Sequence, residues 1–179
     1  MALDPWYAVF KYDEYTEYLQ REAISEIMTM TPAEKRFRLG TYGLTPPCRA
    51  VVNAVMRGMH NPLSYWASKN YVTFKSLPKP AFRPEAFRLE SGCIVWPNPD
   101  HISLLMPLGK HMASVELIPR GTNYIIPAEW DSAHVLFLNE MGIRFTGRGS
   151  LRFIYIMIRK DSVRPVVQPF RVHKWRLRK

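Results

Sequence analysis

The sequence predicts an α+β protein. Helices over about residues 11–70 pack with a β-rich half over about 91–172, either a sandwich or a partly open barrel, and an extended basic tail follows. Three observations predict this. Residues 11–30 and 45–59 carry apolar side chains at helical spacing. From Cys93 onward the chain breaks into short β-prone runs separated by proline or glycine. Between the two, Pro78, Pro80 and Pro84 interrupt residues 77–88, and so much proline prevents continuous helix. The division is therefore 1–76 helical, 77–90 a proline-rich connector, and 91–179 β-rich with the tail.

The first helix follows from Tyr15, Leu19, Ala23 and Ile27, one apolar residue every four positions. Asp13, Glu14 and Glu17 sit at its start, where the helix dipole favours acids. Tyr7, Tyr12, Tyr15 and Tyr18 enrich this end in a side chain with an apolar body and a polar tip, which suits a protein interface. Thr31-Pro32-Ala33-Glu34 has the form of a capping box and predicts a short helix ending near Gly40. Thr45-Pro46-Pro47 predicts the next helix, with Val51, Val52, Val55 and Met56 as its core stripe and Gly58 near its end. Asn61-Pro62 starts a further helical turn through Trp66.

Strands are expected at 93–96, 102–106, 113–118, 124–126, 135–138, 142–145, 151–158 and 166–172. The run over 151–158 is the longest. Leu151, Phe153, Tyr155 and Met157 alternate with Ile154, Ile156 and Ile158, so both faces are apolar. A strand apolar on both faces is usually covered on both, which marks a central strand. Gly147-Arg148-Gly149 supplies a turn before it, an arginine-tipped hairpin.

The charge is uneven. The chain carries a net +10, and residues 144–179 hold eleven basic side chains against one acidic. Such asymmetry points to a polyanion or an acidic protein surface as partner. Basic and aromatic residues interleave, as they do where phosphates are neutralised and unpaired bases stacked. The candidate RNA- or partner-binding residues are Arg36, Arg38, Arg83, Arg88, Arg144, Arg148, Arg171, Lys174, Trp175, Arg176 and Arg178.

Catalytic and cofactor signals are weak. His101, His111 and His134 lie near Asp100 and Asp131, and Ser103, Ser114 and Ser132 are available as nucleophiles, but no geometry-bearing motif accompanies them. Cys48 and Cys93 have no metal-ligand spacing and suit small buried positions. Gly147-Arg148-Gly149-Ser150 lacks the ending of a phosphate loop. The sequence therefore points to no enzyme, no cofactor and no metal. It points instead to a non-catalytic structural subunit of a large assembly, in the first place a ribosomal protein, mitochondrial, contacting RNA through its basic segments. The alternatives are an accessory subunit of a mitochondrial respiratory complex or ATP synthase, touching protein subunits and anionic lipid, and a viral coat protein. The N-terminus lacks a secretory signal pattern, and no uninterrupted apolar run is long enough to span a bilayer.

Overall fold

The computed structural model describes residues 6–36, 38–70, 72, 74, 79–109 and 111–161. Strand β1 (Tyr7–Lys11) leads into helix α1 (Glu14–Thr29), and β2 (Glu34–Arg36) and β3 (Leu39–Gly43) into α2 (Pro46–Gly58) and α3 (His60–Lys69). Eight strands follow: β4 (Glu85–Glu90), β5 (Ile94–Val95), β6 (His101–Pro107), β7 (Ala113–Pro119), β8 (Ile126–Trp130), β9 (His134–Asn139), β10 (Met141–Phe145) and β11 (Ser150–Arg159).

The strands form two antiparallel sheets. The larger runs β1-β9-β6-β11-β4-β3-β2, and the smaller runs β5-β10-β7-β8. From β4 onward the chain crosses between the sheets at nearly every connection, only β7 and β8 being consecutive in one sheet. That winding is a jelly roll. Its interior is an apolar cluster drawn from both sheets, including Leu105, Leu117, Trp130, Ile143 and Phe153. The other face of the large sheet is covered by the helices, through Ile24, Ile27, Val51, Val55 and Trp66 packed on Phe137, Ile154 and Ile156.

β11 is the central strand that its sequence describes. It lies between β6 and β4. Leu151, Phe153 and Tyr155 enter the barrel cluster, while Ile154, Ile156 and Ile158 enter the helix-side cluster. Gly149 supplies the turn before it at φ 84°. Side chains cap the starts of α1 and α2. Asp13 accepts from Thr16 N at 2.7 Å, which holds its carboxyl below the usual range, and Thr45 accepts from Cys48 N at 3.4 Å.

The division into a helical N-terminal region and a separate β-rich half is corrected. β1, β2 and β3 belong to the same large sheet as the later strands, and β4 lies within the stretch expected to be a connector. Local periodicity cannot reveal this, because β1 is five residues long and pairs with β9 at the far end of the sequence. Thr31-Pro32-Ala33-Glu34 starts no helix either. Ala33 N donates to Thr41 O at 2.7 Å, and Glu34 pairs with Thr41 across the β2–β3 hairpin. A capping box acts only if the next turn continues as helix, and here cross-strand bonds take those backbone groups. The run over 166–172 and the basic tail lie outside the described residues. No described helix is long and apolar enough to cross a membrane.

Candidate active site at the mouth of the barrel

One end of the barrel gathers most of the buried polar chemistry. There β5 runs out, β6 begins, β9 passes to β10 and β11 ends. Asn98 organises the approach to β6, with its side chain accepting from Asp100 N and its carbonyl from His101 N, both at 3.0 Å. Glu140 makes the corner between β9 and β10 at φ 56°, a left-handed conformation uncommon outside glycine. Its carbonyl accepts from Arg120 N at 2.8 Å. Lys160 ties the end of β11 to that corner. Its buried ammonium donates to Asn139 Oδ1 at 2.9 Å and Glu140 Oε1 at 3.3 Å, and its backbone N–H to Asp100 O at 2.9 Å. Burial lowers the lysine's pKa, while Glu140 and Asp100 oppose the shift.

His101 is the distinctive group here. It opens β6 and is only 5% exposed. Ile102 packs on the helix side, so strand alternation turns His101 and Ser103 toward the barrel. The imidazole lies 5.4 Å from the ring of Phe82, which is itself 56% exposed. Its Nδ1 is buried and has no hydrogen-bond partner among the described residues. Burial lowers its pKa, Asp100 opposes this, and Arg159 and Lys160 reinforce it, so the ring is neutral near pH 7. Arg159 is the residue directly across the ladder, and it is exposed. Deeper in, Ser103 Oγ and Tyr155 OH share a buried 2.8 Å hydrogen bond. Trp96, Tyr124 and Ile125, all substantially exposed, belong to the loops flanking this end.

The fold brings Arg36, Arg38 and Arg88 onto the neighbouring strands β2, β3 and β4 or their ends, and leaves the other described candidates elsewhere. Arg38 donates to Ser91 O at 3.2 Å, and Arg83 and Arg148 are exposed. Arg144 is paired with Glu116. Arg36 ends β2, and Arg88 is half-buried opposite a second arginine, Arg152. Arg171, Lys174, Trp175, Arg176 and Arg178 lie outside the described residues. Tyr15 and Tyr18 are exposed on α1, whereas Tyr12 is buried and Tyr7 half-buried in β1. No nucleophilic triad assembles among the described residues, since Ser103 bonds Tyr155 and Ser114 bonds Glu129.

No family model matches the sequence, and no curated protein matches it. Solved structures do. HygX from Streptomyces hygroscopicus, solved with nickel and 2-oxoglutarate bound, aligns with a TM-score of 0.55 over 86% of this chain and 82% of that one, at 10% identity. The fold is that of the 2-oxoglutarate oxygenases. The rice dioxygenase for auxin oxidation gives a TM-score of 0.55 over 84% and 72% of the two chains at 8% identity. A Pseudomonas putida prolyl-4-hydroxylase gives 0.53 over 87% and 93% at 7%. At such identities the likeness is one of fold.

This overturns the expectation of a non-catalytic structural subunit, whether ribosomal, respiratory or capsid. The architecture is one that enzymes use, and charge asymmetry alone does not distinguish an assembly subunit from an enzyme with a basic surface. An iron of the kind such enzymes use takes two histidines and a carboxylate on one face of the ion. Among the described residues no three His, Cys, Asp or Glu side chains converge. Leu138, Met141 and Ile143, at the strand ends nearest the mouth, belong to the apolar cluster instead. The described residues do not fit such a centre.

Proposed function

We propose that this chain works as an enzyme on a small organic acid, taken at the mouth of the barrel, with His101 as the group that meets it. The observation that carries this reading is the buried, unpartnered Nδ1 of a neutral imidazole held against Phe82. A buried polar atom without a partner in its own protein is costly to keep, so it needs an explanation. A substrate hydrogen bond supplies one.

The surroundings define the class of substrate. Arg159, exposed and opposite His101, offers a guanidinium to a carboxylate. Phe82 and the other exposed apolar side chains flanking this end give a dry wall for a short carbon skeleton. A neutral imidazole can accept a proton from a bound substrate and return it, and its lowered pKa keeps the accepting form populated. The 2-oxoglutarate bound by HygX makes a dicarboxylic 2-oxo acid the natural first probe.

The test is a titration of the full chain with 2-oxoglutarate, followed by the imidazole nitrogen resonances of His101. The expected result is a saturable shift at His101 that vanishes in Arg159→Gln, with the melting temperature of that variant unchanged. Titration to millimolar 2-oxoglutarate and pyruvate without any change at His101 would overturn the reading.

A further inference from the structure

Arg88 and Arg152 stand directly opposite one another on β4 and β11. Ala86 and Ile154 pack on the helix side of the large sheet, so alternation places both arginines on that same face. Both are half-buried. Like charges directly opposite on neighbouring strands repel, and partial burial strengthens the repulsion. Glu90, two residues on from Arg88, lies on that face too. Arg152 Nε donates to the neutral hydroxyl of Tyr42 at 3.1 Å. The Nε of Arg88 is buried with no hydrogen-bond partner among the described residues. Among the described residues neither guanidinium has a carboxylate within ion-pair distance. On the far side of Arg88 the next strand presents Gly40, against which Pro32 is packed.

We infer that the Arg88–Arg152 pair is a binding site for a compact oxyanion, a phosphate group. Two guanidinium forks on adjacent strands present several N–H donors to one small, multiply charged acceptor, and arginine suits such bidentate contact. Tyr42 fixes one fork and leaves its remaining donors free to turn to the anion. The bound charge relieves the repulsion between the two arginines and gives the buried Nε a partner. The site is separate from the mouth. Arg152 lies seven residues before Arg159 on the same strand, about 23 Å away at 3.3 Å per residue. The inference therefore stands independently of the proposed substrate.

Isothermal titration and phosphorus NMR of the full chain in chloride buffer test it, with inorganic phosphate and phenyl phosphate as probes at matched ionic strength. Wild type binds phosphate, and Arg88→Met and Arg152→Met each weaken it by about tenfold or more, equivalent to about 1.4 kcal/mol. Arg88→Lys keeps the charge, loses the fork and falls between. In phosphate-free chloride Arg88→Met melts no lower than wild type, because a repulsion has been removed, so lost binding cannot be ascribed to unfolding. Tighter binding of phenyl phosphate assigns the site to phosphorylated small molecules, and equal binding assigns it to free phosphate. Phosphate stabilisation no greater than that of chloride, or undiminished binding in Arg88→Met, overturns the inference.

Discussion

The indole of Trp96 lies flat against Gly142. A β-carbon built on that glycine would sit 2.9 Å from a ring carbon. The same ring carries the guanidinium of Arg120 at 5.3 Å, and Arg120 also donates to Pro97 O and to Glu140 O. One missing side chain thus seats a ring that helps to hold three segments of the mouth together. Gly142→Ala is expected to push the indole aside and lower stability by about 1–3 kcal/mol, as overpacking does. Denaturant unfolding measures the loss, and a red shift in tryptophan emission reports the displaced ring.

Acid should weaken the fold through His101. Its folded pKa is lowered from the ordinary value near 6.5, so the unfolded chain binds the proton more readily. Unfolding then takes up a proton, and stability falls as pH drops through about 6.5, levelling once the folded pKa is passed. Melting temperatures measured from pH 8 down to pH 5 should show this slope, and His101→Asn should flatten it. An identical slope in the variant would assign the effect to other groups.

Glu140 and Lys160 form a pair in which the cation is buried and the anion partly exposed. Glu140→Gln leaves the ammonium with Asn139 and, of its two acidic neighbours, only Asp100. The expected cost is about 1.5–3 kcal/mol, typical for a hydrogen bond to a charged group. The Lys160 pKa should fall further, because Glu140 is the leading influence that opposes its desolvation. Both effects can be read from a denaturation curve and the nitrogen chemical shift of the ammonium.

At the other end of the barrel, Gln20 fastens α1 to the sheets. Its buried amide donates to Pro107 O at 2.6 Å and Ser132 O at 2.7 Å. A neighbouring cleft of about 410 Å³ lies between α1 and the loops holding Gly109 and Ser132. Gln20→Leu keeps the bulk but orphans two carbonyls, at a cost of about 2 kcal/mol. Amide hydrogen exchange should quicken along α1 more than along β11.

The elements with strong local signals are legible in the sequence. β11 is apolar on both faces because both are covered, and α2 announces itself by Thr45, Pro46 and a valine stripe. What local pattern cannot carry is long-range pairing. Nothing near Tyr7 indicates His134–Leu138 as its partner strand, so the N-terminal strands are missed and the sheet with them. The site is legible only in part. His101, Asp100 and Ser103 stand out as titratable or nucleophilic neighbours, but burial decides their meaning. Phe82 packs at a tilt against His101 from a proline-rich segment whose spacing has no period. Arg88 shows in the sequence as a cation, while its facing of Arg152 is a matter of register alone.

The position of β11 also bears on how the chain is made. It joins β6 to β4 and supplies side chains to both apolar clusters, yet Arg159 ends it only after every other described strand has been synthesised. Until then β4, β3 and β2 have no ladder to the remaining strands of their sheet, and neither cluster can close. Growth from the N-terminus therefore leaves the large sheet in two unjoined pieces, with strand edges exposed, until β11 arrives. Such a chain is most vulnerable to aggregation during its own synthesis.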